Sequence, residues 1–151
     1  MKTESVVQSE IRADAGAQGV LLWRNNRGAM EDLDGRVVRF GLGNDSPAMD
    51  RRIKSSDLVG QVTTRLLFDG KRMAQPLYVE CKAEGWRFPD RWRGSTPDEI
   101  EKTFAPADAA LRRTLCQWRW LKLHHDGGAL AGFAQSVADF RRILTGELVL
   151  P

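Results

Sequence analysis

Apolar residues recur along the chain with two periods, and the changes of period divide it into elements. Val7 and Ile11 stand four apart among polar neighbours, as on one helix face, and predict a helix over residues 3–15. Thr3 is placed to cap it, Glu4 suits the positive end of its dipole, and Gly16 and Gly19 end it. Val20, Leu21, Leu22 and Trp23 form a short apolar run before the turn residues Asn25, Asn26, Arg27 and Gly28, hence a strand. Val37, Val38 and Phe40 make a second strand over 36–41, after the Asp34-Gly35 turn. Residues 41–56 read as a loop and 57–68 as extended chain. Asp69-Gly70 is a two-residue hairpin signal, with residues 77–82 as the returning strand.

The pattern is lost over 83–105, which mixes Trp86, Phe88 and Trp92 with Arg87, Arg91 and Arg93 and the breakers Pro89, Gly94 and Pro97. A short helix is expected after Thr96, with Pro97 at its first position. Helical spacing resumes over 106–126, where Leu111, Leu115, Trp118 and Leu121 form the core stripe and Gly127-Gly128 the stop. Residues 129–134 read as a strand. Ser136 and Asp139 then make a capping box for a last helix that buries Val137, Phe140, Ile143 and Leu144 and stops at Gly146. This order predicts one α/β domain over 1–151, a mixed β-sheet flanked by helices.

Composition narrows the function classes. With 151 residues the chain can bury a self-sufficient core. Its 42% hydrophobic and 28% charged residues exclude wholesale disorder. The net charge of +3 does not by itself establish a polyanionic partner, so any basic surface depends on where the charges lie. Two cysteines exclude a disulfide framework and a four-cysteine zinc site, and favour free thiols in a reducing compartment over a single bridge. No apolar run approaches the ~20 residues of a membrane helix. The polar start lacks the apolar stretch of a signal peptide. A soluble, cytoplasmic protein with no membrane partner is expected.

The hairpin points to chemistry. If Asp69 and Gly70 are the two loop residues, Asp57 stands opposite Lys82, and Glu80 shares their face because side chains alternate along a strand. Asp57, Glu80 and Lys82 then converge at the open end of the hairpin. A one-residue slip, or a bulge at Pro76, would turn Asp57 away. Two carboxylates beside one ammonium suit a hard cation such as Mg²⁺ that completes its shell with water and phosphate. The same residues also suit a plain cross-strand ion pair on a solvated face. On the first helix, Glu4, Gln8, Ile11 and Ala15 lie on one stripe, which carries two polar groups along the apolar side.

Several short motifs occur in an order that resembles a known family. They are Glu4-x-x-x-Gln8, Trp23-Arg24-Asn25-Asn26-x-Gly28, Ser56-Asp57-Leu58-Val59-Gly60 and Tyr78-Val79-Glu80-Cys81-Lys82. Later come Gln117, Gly127-Gly128 and Ala131-Gly132-Phe133-Ala134-x-Ser136-Val137-x-Asp139-Phe140. Together they resemble the small stand-alone VRR-NUC (virus-type replication-repair nuclease) proteins of the PD-(D/E)xK nuclease superfamily. Ser56 stands where the superfamily name has Pro, and residues 83–105 read as an insertion that the resemblance does not cover.

The resemblance implies a restriction-endonuclease-like core and Mg²⁺- or Mn²⁺-dependent hydrolysis of DNA phosphodiesters. Its stand-alone phage-type members are associated with branched DNA such as Holliday junctions or flaps, often as homodimers. Replication, recombination or repair in a bacterial or phage-infected cytoplasm is the implied setting. Asp57 and Glu80 would be metal ligands, with the backbone carbonyl of Cys81 a third. Lys82 would be the catalytic lysine, Glu4 the first-helix acid beside the metal, and Gln117 the helix residue near the active site.

The basic residues have two readings each. Arg51, Arg52 and Lys54 precede Asp57 and either track a DNA backbone towards the metal or decorate a solvated loop. Arg91 and Arg93, interleaved with aromatics, suit contacts to phosphates. Trp86 is expected to pin the insertion to the core, whereas Trp92 stands open between pinning and stacking on a base. Arg113, Gln117, Trp120 and His124 share a stripe that either faces DNA or forms a boundary under the insertion. His124 and His125 diverge by about 100° on a helix and have no third ligand at matching spacing, so they read as structural. A non-catalytic DNA-binding module retaining the nuclease fold is the rival from another class; an RNA or nucleotide phosphodiesterase is a third reading.

Overall fold

The computed structural model describes residues 1–65, 70–104 and 108–151, with backbone alone at Thr64 and Arg65. Asp69 of the expected hairpin turn, the extended residues 66–68 and the expected helix start at Pro106 lie outside them. The chain forms two compact units, one of Met1–Arg24, Ser56–Phe88 and Leu121–Pro151 and the other of Asn25–Ser55 and Pro89–Trp120.

The first unit begins with helix α1 (Glu4–Ala17) and strand β1 (Leu21–Arg24). Thr3 takes the extended N-cap conformation, yet its hydroxyl pairs with Ser5 and makes no cap bond. The helix runs through Gly16 and is closed at Gly19, whose φ of +69° is open to glycine at little cost. In the second unit lie strands β2 (Gly28–Glu31) and β3 (Val37–Phe40) and helix α2 (Pro47–Arg52). The first unit resumes with β4 (Leu58–Arg65) and β5 (Arg72–Cys81). Helix α3 (Pro97–Phe104) belongs to the second unit, and helix α4 (Ala109–Asp126) gives its last six residues, from Leu121, to the first. Strand β6 (Leu130–Ala134) and helix α5 (Val137–Leu144) complete the chain of elements.

The first unit's sheet has the order β1-β4-β5-β6, antiparallel except for the parallel pair β5–β6. This is the expected mixed sheet flanked by helices. Leu58, Leu77, Val79, Cys81, Leu130 and Ala134 line one face, and Val7, Ile11 and Ala15 of α1 with Phe140 and Ile143 of α5 cover it. The four-residue and three-residue spacings of those helical positions explain why one stripe of each helix meets the sheet. Ser136 caps α5 as expected: its hydroxyl accepts from the Asp139 amide at 3.1 Å, and the Asp139 carboxylate accepts from the Ser136 hydroxyl at 3.0 Å. Gly60 allows β1 to approach β4, because a Cβ there would sit 2.0 Å from the Leu21 carbonyl oxygen. Gly60→Ala is therefore expected to cost about 1–3 kcal/mol of stability, read as a lower denaturation midpoint; an unchanged midpoint would refute this close approach.

The hairpin register departs from expectation. Leu58 pairs with Val79, where a two-residue turn at Asp69-Gly70 would have paired it with Cys81. The offset is two residues, and because side chains alternate with period two, every side chain keeps its face. The ladder also runs unbroken past Pro76, which pairs with Gln61 without a bulge.

In the second unit, β2 and β3 form an antiparallel ribbon, with Gly28 opposite Phe40. Gly28, expected as a turn residue, instead opens a strand, because residues 28–31 pair with β3. Residues 47–52, expected as loop, form α2, whose N-cap Ser46 accepts from the Met49 amide at 3.1 Å, with Pro47 at the first turn. The expected helix after Thr96 is present as α3. Thr96 and Glu99 cap it reciprocally, the Thr96 amide donating to Glu99 at 2.7 Å and the Glu99 amide to Thr96 Oγ1 at 3.3 Å. Asp108 caps α4 by accepting from the Ala110 amide at 2.6 Å. Arg27 pairs with Asp50 at 2.6 Å and donates to the Gly43 and Ile53 carbonyls, tying the chain before β2 to α2. No helix is long and apolar enough to cross a membrane among the described residues.

Candidate functional site

Glu4, Val7, Ile11 and Ala15 fall on a single helical stripe, at spacings of three and four. Val7, Ile11 and Ala15 are buried against the sheet, so the same stripe carries Glu4 in the first turn towards the sheet's open end. Asp57 stands just before β4, and its Oδ2 accepts a hydrogen bond from the Cys81 amide at 3.0 Å. Glu80 is the penultimate residue of β5, on the face opposite the buried Val79 and Cys81. One carboxylate oxygen from each of Glu4, Asp57 and Glu80 lies within 4.8 Å of the others. This is the only group of three or more His, Cys, Asp or Glu side chains so disposed among the described residues.

Glu80 is 1% exposed. Burial, followed by the charge of Asp57, raises its carboxyl from the ordinary 4.5 to about 8, against the opposing pull of Lys82. Lys82 follows β5 directly. Its amide donates to the Ala134 carbonyl at 2.9 Å, which extends the β5–β6 pairing by one step. Its Nζ donates to Glu80 Oε1 at 3.0 Å. The same ammonium lies 5.6 Å from the Trp86 ring centroid and 5.7 Å from that of Phe133, within the range of cation–π attraction. Cys81, between the two functional side chains, points its thiol into the core, where burial raises its pKa strongly.

Trp86 reaches Lys82 through a tight turn. Its amide donates to the Ala83 carbonyl at 3.1 Å, and Gly85 has φ +85°, which suits glycine at the third position of such a turn. Trp86 then packs on Phe133 at 5.0 Å between centroids, and Phe88 on Phe133 at 5.8 Å. The expected pinning role of Trp86 is what this packing provides. Its place beside Lys82 was not anticipated, although Ala83-Glu84-Gly85-Trp86 is a readable turn signal directly after the Glu-x-Lys strand. His124 stacks on Tyr78 at 4.2 Å, and burial lowers its pKa, in keeping with the structural role expected of it.

Gln117, Arg51, Arg52, Lys54, Arg91, Arg93, Arg113 and Trp120 all belong to the second unit. Gln117 is 2% exposed and Trp120 8%, so of their expected stripe on α4 only Arg113 is an exposed side chain within that unit. Trp120 lies beside Gly43, and its ring is too covered to stack on a base, which corrects its expected DNA-facing place. Trp92 is fully buried, which decides its open reading for packing. Arg51 and Arg52 are exposed in the last turn of α2, whereas Lys54 is held by Asp50 at 3.0 Å. Arg91 lies over the Phe104 ring, and Arg93 pairs with Asp90.

The donor set is all oxygen and anionic, and it carries three carboxylates against one ammonium. Such a set fits a hard divalent cation of the Mg²⁺ or Mn²⁺ type and lacks the sulfur or imidazole that zinc favours. Compared with family models, with curated proteins and with solved structures, the chain shows no match.

Proposed function

We propose that this protein is a Mg²⁺- or Mn²⁺-dependent endonuclease hydrolysing DNA phosphodiesters, built on a PD-(D/E)xK-type core of the VRR-NUC kind. The observation that carries the reading is the convergence of Glu4, Asp57 and Glu80 within 4.8 Å, with the Lys82 ammonium 3.0 Å from Glu80. Three carboxylates so close, one of them buried, repel each other unless a cation or protons relieve them. In this reading Asp57 and Glu80 hold the metal, Glu4 lies beside it, and the Cys81 carbonyl completes the protein's ligands. When bound, such a metal supplies a more acidic water and neutralises charge on the phosphoryl oxygens.

The chain's own groups have distinct tasks. The Cys81 amide fixes one Asp57 oxygen and so orients its carboxylate. Lys82 donates from a fixed position to the attacking water or to the oxygen on which negative charge grows. The Trp86 and Phe133 rings keep bulk water from the far side of that ammonium. Gln117, in the second unit, is proposed as the helix residue near the active site, and the exposed Arg51, Arg52, Arg91, Arg93 and Arg113 as phosphate contacts. Branched DNA is the proposed substrate, in replication, recombination or repair, with a homodimer as the proposed assembly and the cytoplasm as the proposed location.

The test is a panel of linear, flapped, four-way and single-stranded DNA, with RNA, incubated with Mg²⁺, with Mn²⁺ and with EDTA. Metal-dependent cleavage of DNA, fastest on a branched form, is expected. Salt-sensitive binding without turnover would establish instead a non-catalytic DNA-binding module, and cleavage of RNA alone would establish a ribonuclease.

A further inference from the structure

The chain has five tryptophans. Trp92, Trp118 and Trp120 are buried, and Trp86 is half-buried against Phe133. Trp23 alone is exposed, at 54%, on the edge strand β1. The register gives its place in the sheet. Trp23 pairs with Val59, and Val59 with Tyr78. Directly opposed residues share a face, and Tyr78 shares its face with Glu80, two residues along β5. Trp23 therefore stands on the same sheet face as Glu80, one strand from β4. Strand spacing and rise put its Cα about 8 Å from that of Asp57.

The next residue, Arg24, pairs with Leu58, the neighbour of Asp57. It is exposed, and it has no ion pair among the described residues. In this it resembles the exposed Arg12, Arg72 and Arg87 of the same unit, whereas Arg141 pairs with Asp14 and Arg142 with Glu147. Arg24, opposed to Leu58, therefore stands on the opposite face, with Leu58 and Val79, and the end of β1 presents the Trp23 indole to the face of the cluster read as a phosphodiester-cleaving site.

We infer that Trp23 forms a subsite for a single-stranded stretch of nucleic acid, with one unpaired base stacked on its indole. The inference rests on the nuclease reading for its ligand class and adds what that reading leaves out: the strand beside the cut is unpaired. A base inside a duplex is already stacked on its neighbours and offers no face to an indole without first being pulled out. An unpaired base stacks freely, whatever its identity.

The test measures binding in EDTA, with a single-stranded oligodeoxynucleotide of about 12 nucleotides and its blunt duplex as probes. The single strand is expected to quench the tryptophan fluorescence of the wild type. Trp23→Ala is expected to weaken single-strand binding about tenfold and to abolish the quench, while duplex binding stays as in the wild type. Trp23→Phe, which keeps an aromatic face, restores most of the affinity without the quench, and so separates stacking from folding. Trp23→Ala binding the single strand as well as the wild type overturns the subsite, as does an equal loss for the duplex. The cleavage reading is tested separately in Mg²⁺ with Asp57→Asn. Wild-type cleavage by that variant overturns the nuclease reading and not this binding result.

Discussion

Asp57→Asn and Lys82→Met are each expected to lower Mg²⁺-dependent DNA cleavage by about 10³-fold, with little change in folding. The two variants remove different things. Asn keeps an oxygen to accept the Cys81 amide, now 3.0 Å from the Asp57 carboxylate, so the entry into β4 is preserved while one anionic ligand is lost. Met keeps an apolar stem of similar length but removes the ammonium that faces Glu80 and lies over the Trp86 and Phe133 rings. A hydrolase of this design needs the charge in both cases. Metal affinity separates the defects: calorimetric Mg²⁺ binding is expected to be lost in Asp57→Asn and retained in Lys82→Met. Should both variants cleave at the wild-type rate, the cluster is not the catalytic centre.

The second large effect is on stability. Without metal, the protein is expected to become less stable as the pH rises from 6.5 to 8.5, with the melting temperature falling by about 4–8 °C. The sign follows from Glu80, whose folded-state carboxyl is raised from 4.5 to about 8. Between those values the folded protein holds a proton that the unfolded chain has released, so raising the pH favours unfolding. Groups shifted the other way act elsewhere. Salt bridges and hydrogen bonds lower Asp14, Asp50, Glu99 and Glu147, so the stability they add is lost only as the pH falls through the carboxylate range. His124, lowered by burial, costs stability only as the pH falls below the ordinary histidine range. Cys81 and Cys116, which burial raises, add to the decline only near the top of the window, so its lower part reports Glu80. Millimolar Mg²⁺ is expected to abolish the decline, because binding to the folded state alone stabilises it. Asp57→Asn is expected to reduce it, since Asp57 is the second cause of the shift after burial. A melting temperature that is flat with pH and unmoved by Mg²⁺ would show that the cluster holds no metal.

Much of the architecture could be read from local signals. The Val7–Ile11 spacing, the Ser136–Asp139 cap, Pro97 at the start of α3 and Gly127-Gly128 after α4 each act within one or two turns of chain, where sequence and conformation are directly coupled. Elements that depend on distant partners were not legible. Gly28 looks like a turn residue and becomes strand because Phe40 pairs with it. Residues 47–52 carry a Ser-Pro start signal, but α2 is too short to show a period.

The candidate site divides in the same way. Alternation along β5 is a property of any strand, so the sequence by itself set Glu80 and Lys82 on one face and Cys81 on the other. It also set Glu4 on the buried stripe of α1. Alternation has period two, which is why a hairpin offset by two residues from expectation left Asp57 facing Glu80. Tertiary structure alone decided how near these groups come, because that depends on how α1 seats on the sheet and on where β4 meets β5. It decided too that Glu80 is buried, which is what raises its pKa, and that Trp86 returns over Lys82. Burial separates the tryptophans as well: Trp92 and Trp120 go into packing and Trp23 to the surface. Burial is a sum over neighbours from the whole fold, and no short stretch of sequence contains that sum.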